Sequence, residues 1–216
     1  MLACQPCNKS FTIPHLHCPA KPRPPRYARM PVEGRVLDAG CGTGLFGVVF
    51  KGMRRLNAPT LIGCDVFAPY LEAIPNGVYD DLVCCDIAHL PFRDKVFSGV
   101  VAVEVIEHLD KIIGGRALKE FERVSCCVIG LSTPRGYHIR SDEDGNPFQT
   151  HLSGWSANEF RRLGFKVRFL PNMSSKLWMF VPFVLAYLTG LWAKTTICFK
   201  KIHYDMGDYD CERESA

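Results

Sequence analysis

The segment Asp38-Ala39-Gly40-Cys41-Gly42-Thr43-Gly44 sets a carboxylate two residues ahead of three glycines at alternate positions. Glycines so spaced let the backbone take positive φ and approach a bound molecule with no Cβ between them. Apolar residues at helical spacing follow, so the free N–H groups of a helix starting at Leu45 would point at the same spot. Three more carboxylates, Asp65, Asp86 and Glu104, stand at the ends of later apolar runs. Together they suit a ligand that offers a cationic group, hydroxyls and an amine.

Two ligand classes use such a glycine turn. Gly42-Thr43-Gly44-Leu45-Phe46-Gly47 satisfies G-x-G-x-x-G, the dinucleotide pattern, which would point to a nicotinamide-dependent oxidoreductase. A carboxylate at Asp38 would repel a pyrophosphate, however, and suit a cation. S-adenosylmethionine carries an ammonium and a sulfonium and no phosphate, so it matches the charge better. Asp65, 21 residues after Gly44, can accept hydrogen bonds from ribose hydroxyls. Asp86 can take an exocyclic adenine amine, with Ile87 supplying a backbone N–H and an apolar wall. Each acid alone could instead be a helix N-cap.

These residues must be held by strands. Near-continuous apolar runs predict strands at Arg35 to Asp38, Thr60 to Asp65, Asp81 to Asp86, Phe97 to Val103 and Cys126 to Ser132, of the kind a parallel sheet buries on both faces. Helices fit between them at Leu45 to Leu56, Phe67 to Ala73 and Leu109 to Arg123, and a further helix at Ala157 to Leu163 leads through Gly164 to a sixth strand, Phe165 to Leu170. Thr195 to Lys200 reads as an antiparallel seventh strand. The alternation implies an α/β, doubly wound sheet with its ligands beyond the carboxyl ends of the strands.

The four motifs Asp38-Ala-Gly-Cys-Gly-Thr-Gly, Asp65, Asp86-Ile-Ala-His-Leu-Pro-Phe and Glu104-Val-Ile-Glu-His-Leu, in this order and spacing, resemble the class I S-adenosylmethionine-dependent methyltransferases. The likeness is closest to the small-molecule subgroup that includes ubiquinone and menaquinone biosynthesis enzymes, and it covers about residues 33 to 170. It implies a Rossmann-like, seven-stranded sheet of order 3-2-1-4-5-7-6 with strand 7 antiparallel. It also implies that Asp38, Gly40, Cys41, Gly42 and Gly44 hold the methionine part of the cofactor, Asp65 the ribose, and Asp86 with Ile87 the adenine, with Val66 a further cofactor contact. Glu104 would line the pocket near the sulfonium. The Asn/Asp-Pro-Pro-aromatic tetrad of amino-methylating nucleic-acid enzymes is replaced by Val103-Glu104-Val105-Ile106, which argues against adenine methylation.

After the fifth strand a long loop runs from Ser132 to Ser156, with an acidic turn at residues 142 to 144. It lies where an acceptor would enter. His151 is the candidate base or substrate hydrogen-bonding group there, against a loop-pinning role, and His151 and Trp155 occur in an order seen in part of the same family. Glu104 and His151 are therefore the catalytic candidates, and His108, His151 and Trp155 the substrate candidates. His108 opens a helix and has a structural alternative; His89 is read as solvated.

The remaining segments bear on partners. Residues 1 to 31 hold seven prolines and read as an irregular basic arm, since Lys9, Lys21, Arg23, Arg26, Arg29 and Arg35 face Glu33 alone in the first 35 residues. Cys4, Cys7, His15, His17 and Cys18 offer zinc-type ligands, but His-x-His-Cys is cramped for a second ligand pair, so no metal is assigned. The core domain is read as residues 32 to 202. Within it, 171 to 193 form an apolar insertion whose charge-free stretch Leu177 to Ala193 reads as a lid over the substrate pocket or a contact with a membrane surface. Residues 203 to 216 read as a polar tail. Eleven cysteines without a signal-peptide pattern suit a reducing cytoplasm, with peripheral membrane contact through the apolar stretch.

The expected function is methyl transfer from S-adenosylmethionine to a small apolar or aromatic acceptor, with nucleic acid as the less favoured partner. A cofactor-binding scaffold at a membrane and an RNA-directed enzyme using Arg23, Arg26 and Arg29 are the alternatives.

Overall fold

The computed structural model describes residues 34–52, 59–136, 145–169 and 195–202. Their order is β1 (Arg35–Ala39), α1 (Leu45–Gly52), β2 (Thr60–Asp65), α2 (Ala68–Glu72), β3 (Asp81–Cys84), β4 (Phe97–Val103), a 3-10 turn (Ile106–His108), α3 (Lys111–Val124), β5 (Ser125–Pro134), a second 3-10 turn (Pro147–Gln149), α4 (Ala157–Arg162), β6 (Lys166–Phe169) and β7 (Thr195–Lys201). The strands form one seven-stranded sheet of order β3-β2-β1-β4-β5-β7-β6. The first five pair in parallel, and β7 runs antiparallel between β5 and β6. This is the α/β Rossmann-like order expected from the sequence.

The apolar runs of the central strands are explained by burial on both faces. In β1, Val36 and Leu37 are adjacent and both 0% exposed, yet they join two separate clusters because successive side chains point to opposite faces. One cluster contains Phe97, Leu118, Phe121, Ile129, Trp155 and Phe160, and the other Phe50, Leu61, Ile74 and Tyr79. α3 contributes Ala117, Leu118, Phe121 and Val124 to the first and also buries Gly114, a stripe three and four residues apart. Burying one side chain the size of Phe121 contributes roughly 1.5–3 kcal/mol.

Boundaries differ from the sequence reading where side chains compete for the backbone. α3 starts at Lys111 because the Asp110 carboxylate accepts the Ile112 and Ile113 N–H groups, both at 2.8 Å. The third strand ends at Cys84 and leaves Asp86 in the following loop, where its carboxylate accepts the Ala88 N–H at 2.8 Å. α4 is closed at its start by a reciprocal capping box between Ser156 and Glu159.

Several expectations lie outside the described residues. These are the basic arm with its cysteines and histidines, the C-terminal part of the first helix from residue 53, the acidic turn at 142–144, the apolar insertion at 171–193 and the polar tail. Among the described residues no helix is long and apolar enough to cross a membrane.

Candidate active site

The glycine turn lies beyond β1 and is tied to β2. Gly40 and Cys41 N–H both donate to the Cys64 carbonyl, at 2.8 and 2.9 Å, and Gly42 N–H donates to Asp65 Oδ2 at 2.9 Å. The other Asp65 oxygen accepts the Phe67 N–H at 2.9 Å. Each carboxylate oxygen has two lone pairs, so both keep acceptor capacity for a ligand. Gly40 has φ +76°, and a Cβ on it would meet Val105 Cγ1 at 2.6 Å. Gly42 has φ +52° and nothing within 4 Å of where its Cβ would be. The turn is thus closed toward β4 and open on the side where a ligand would sit. Cys41 is buried, and Val66 just beyond β2 is half-buried.

Asp38 has a partner that the sequence did not reveal. It is 1% exposed, and Tyr79 Oη donates to its Oδ2 at 2.5 Å. The same Tyr79 oxygen accepts the Gly47 N–H at 3.1 Å. Gly47, the last glycine of the dinucleotide pattern, is required by this aromatic ring: a Cβ there would lie 2.4 Å from Tyr79 Cζ. Burial pushes the Asp38 carboxyl up to about 7, opposed by the Tyr79 hydrogen bond and reinforced by the charge of Asp65. Burial likewise raises Asp65 itself, against the N–H groups it accepts.

The third acid is more open. Asp86 lies in the loop after β3, half exposed, with His89 Nδ1 3.2 Å from its Oδ2. His89 is exposed as expected, but it is paired with Asp86. Ile87 beside it is buried. The loop that follows is clamped from α3: Arg123 donates to the Leu90 and Phe92 carbonyls at 2.9 and 2.7 Å and to Asp94 at 2.8 Å. Glu120 fixes the Arg123 guanidinium with two bonds, at 2.7 and 2.8 Å, and accepts the Leu90 N–H at 2.8 Å. Spacing alone would read Glu120 and Arg123 as an exposed helix pair, which is why sequence reasoning missed them.

A polar cluster sits at the carboxyl ends of β4 and β5. Glu104 has φ +53°, a conformation uncommon for a side chain other than glycine. It is held there by Ser132, whose carbonyl and hydroxyl both accept the Glu104 N–H, at 3.1 and 3.2 Å, while the hydroxyl donates to Glu104 Oε1 at 2.6 Å. Glu107, 2% exposed, accepts from the Thr133 hydroxyl at 3.0 Å. Its carbonyl accepts the Leu152 and Ser153 N–H groups, which brings the long loop to this point. There His151, 4% exposed, meets His108 edge to face, with ring centres 4.8 Å apart. Burial raises the Glu104 carboxyl, while hydrogen bonds to Ser132 and Glu107 oppose the shift.

The fold thus brings Glu104, His108 and His151 together and adds Glu107, Ser132 and Thr133, which the sequence reading had not singled out. Glu107 was visible within Glu104-Val-Ile-Glu-His, but nothing in that string said that it faces inward. Trp155 is placed differently from the expectation of a substrate contact. It is 5% exposed, stacked on Phe160 with centroids 5.4 Å apart, and its Nε1–H donates to the Ile106 carbonyl and Ser153 Oγ. That position makes it a core support for the loop carrying His151.

Residues 37–126 match a family model described as a methyltransferase domain. Over 90 residues the chain is 38% identical to probable tRNA methyltransferase 9B of Mus musculus, a match covering 41% of this chain and 19% of that protein. It is 34% identical over 96 residues to a ubiquinone biosynthesis O-methyltransferase of Methylocella silvestris, covering 41% and 36%. The chain thus spans well under half the length of these relatives. Among solved structures, a SAM-dependent methyltransferase from Archaeoglobus fulgidus superposes with a TM-score of 0.54 at 18% identity, covering 78% of this chain and 86% of the other. With the matched segment running from β1 into β5 and the strand order complete, the chain has the α/β Rossmann-like methyltransferase fold and a segment similar to a methyltransferase domain.

Proposed function

We propose that the protein transfers the methyl group of S-adenosylmethionine to an oxygen of a small aromatic or apolar acceptor, with carbon methylation the less favoured outcome. The reading rests chiefly on one observation: carboxylates and imidazoles gather at the end of β4, next to the glycine turn through the packing of Val105 on Gly40. In this reading the glycine turn with Cys41 and Asp38 receives the methionine part, Asp65 and Val66 the ribose, and Asp86 with Ile87 the adenine. The methyl group would then face Glu104. Methyl transfer is an in-line displacement in which the acceptor oxygen bonds to the methyl carbon as the carbon–sulfur bond breaks and the sulfonium becomes a neutral thioether. The protein mainly has to align the three atoms and exclude water. A hydroxyl acceptor must also lose its proton, and Glu104 and His151 stand where it would be released.

An RNA acceptor is the second reading, favoured by the likeness to probable tRNA methyltransferase 9B. Both are tested by supplying the full chain with methyl-labelled cofactor and either phenols and quinols or bulk tRNA, at low and high salt. Label on a phenolic oxygen supports the first reading. Label in tRNA only, falling steeply with salt, overturns it in favour of the second. Cofactor binding with no labelled product in either pool would overturn both and point to a scaffold.

The cofactor assignment carries a pH dependence. The carboxyl of Asp38, pushed up to about 7 by burial, lies well above the ordinary carboxylate range. The folded protein therefore holds a proton that the unfolded chain has released, and stability from this group falls as pH rises from about 4 to about 7. A cofactor ammonium beside Asp38 needs it ionised, so binding below pH 7 must displace that proton. Calorimetric affinity for S-adenosylmethionine is expected to strengthen by roughly tenfold from about pH 6 to about pH 8 and then level off. Asp38→Asn should bind more weakly and flatten this dependence. A wild-type affinity unchanged across that range would remove Asp38 from the ammonium site.

A further inference from the structure

Glu107, His108 and His151 each offer one ligand atom, and these atoms all lie within 4.8 Å of one another. Two of the three side chains are buried, and the third is half-buried. A divalent ion with ligands about 2.1 Å away holds them roughly 3–4 Å apart, so shifts of under about 1 Å would complete the set. Each of the three residues is held by a neighbouring group. His108 Nδ1 lies 3.3 Å from the Thr150 carbonyl. A carbonyl only accepts, so in that hydrogen bond Nδ1 carries the proton and Nε2 is the nitrogen that would face an ion. Glu107 has one oxygen fixed by the Thr133 hydroxyl. His151 is brought to the site by the two backbone hydrogen bonds from Leu152 and Ser153 to the Glu107 carbonyl.

A second observation concerns Glu104. Its Oε2 is buried and receives no donor among the described residues, apart from a proton that it could share with Glu107. A cation at this place would neutralise both carboxylates and satisfy the orphaned oxygen.

We infer that Glu107, His108 and His151, with Glu104 as a fourth donor, form a binding site for a divalent first-row transition ion at the carboxyl end of β4. Two imidazoles with carboxylates and no thiolate suit Mn²⁺, Co²⁺ or Zn²⁺ more than Mg²⁺ or Ca²⁺. A six-coordinate ion with four protein donors would keep two positions for water or an acceptor oxygen. A hydroxyl bound there would be more acidic and would release its proton to water, so with the ion bound Glu104 and His151 would serve as ligands, and the base role given them above belongs to the ion-free site. Ion binding itself needs neither cofactor nor acceptor, so it stands apart from the methyl-transfer reading.

The test is a titration of the full chain, stripped with a chelator, with Mn²⁺ followed by electron paramagnetic resonance of the free ion. Mn²⁺ is chosen because the cysteines of the N-terminal arm, as soft thiolates, compete poorly for it. One saturable equivalent is expected, together with a rise in melting temperature on addition of the ion. Glu107→Gln should weaken binding by at least tenfold. Thr133→Val, which keeps the side-chain shape and loses only the hydroxyl that orients Glu107, should weaken it by roughly 10–100-fold. Absence of a saturable equivalent in the wild-type chain overturns the site whatever the variants do. Equal binding by wild type and by a Thr133→Val chain of unchanged circular dichroism also overturns it, because the ion must then lie elsewhere.

Discussion

Asp65→Ala should raise the dissociation constant for S-adenosylmethionine by at least about 100-fold, a loss of about 2.8 kcal/mol. Two effects add. In the proposed site the carboxylate accepts both ribose hydroxyls, and hydrogen bonds to a charged acceptor contribute about 1.5–3 kcal/mol each. The same carboxylate also anchors the turn itself, through Gly42 N–H on one oxygen and Phe67 N–H on the other. Removing it frees the one glycine of the turn whose Cβ side is open. Asp65→Asn keeps one carbonyl acceptor and should lose less, roughly tenfold. Calorimetry with the cofactor and with its demethylated product separates the outcomes. If the alanine variant binds both as the wild type does, Asp65 is only a strut for the glycine turn, and the ribose lies elsewhere.

The reason that so much of this site was legible in the sequence is that its parts are local. A parallel strand buried on both faces must be an apolar run, and a turn at its carboxyl end must carry glycine where φ is positive, so β1 and the turn are written in consecutive letters and Asp65 closes the next apolar run. The sheet order, by contrast, came from a likeness to a family and was then found in the hydrogen-bonded strands. What could not be read are the contacts between distant segments. Tyr79 reaches across 41 positions to Asp38, and Thr133 across 26 to Glu107. Gly47 illustrates the limit: the sequence offers it as part of a phosphate-binding pattern, whereas its small size serves the Tyr79 ring. His151 and Trp155 were picked out together as substrate contacts, yet four residues along the chain separate a side chain in the polar cluster from one in the apolar core.

That division of labour makes Trp155 the place where stability and site geometry meet. Trp155→Ala removes a ring stacked on Phe160, two hydrogen bonds from Nε1 and a Lys111 ammonium 4.0 Å over the ring. Truncations of this kind cost roughly 3–5 kcal/mol, a large part of the 5–15 kcal/mol that holds a typical domain together. Denaturant unfolding should show that loss, with Trp155→Phe intermediate because it keeps a ring and gives up the indole N–H. Gly114 on α3 supplies a sharper check. A Cβ there would meet Trp155 Cζ2 at 2.7 Å, so Gly114→Ala in the wild-type chain overpacks and should destabilise by roughly 1–3 kcal/mol. With Trp155→Ala already in place the clash is gone, and alanine is the better helix former by roughly 1 kcal/mol. The same substitution should then stabilise. A reversal of sign between the two backgrounds is what close packing of Trp155 on Gly114 requires, and a Gly114→Ala effect of the same sign and size in both would show that the ring does not press on α3 in solution.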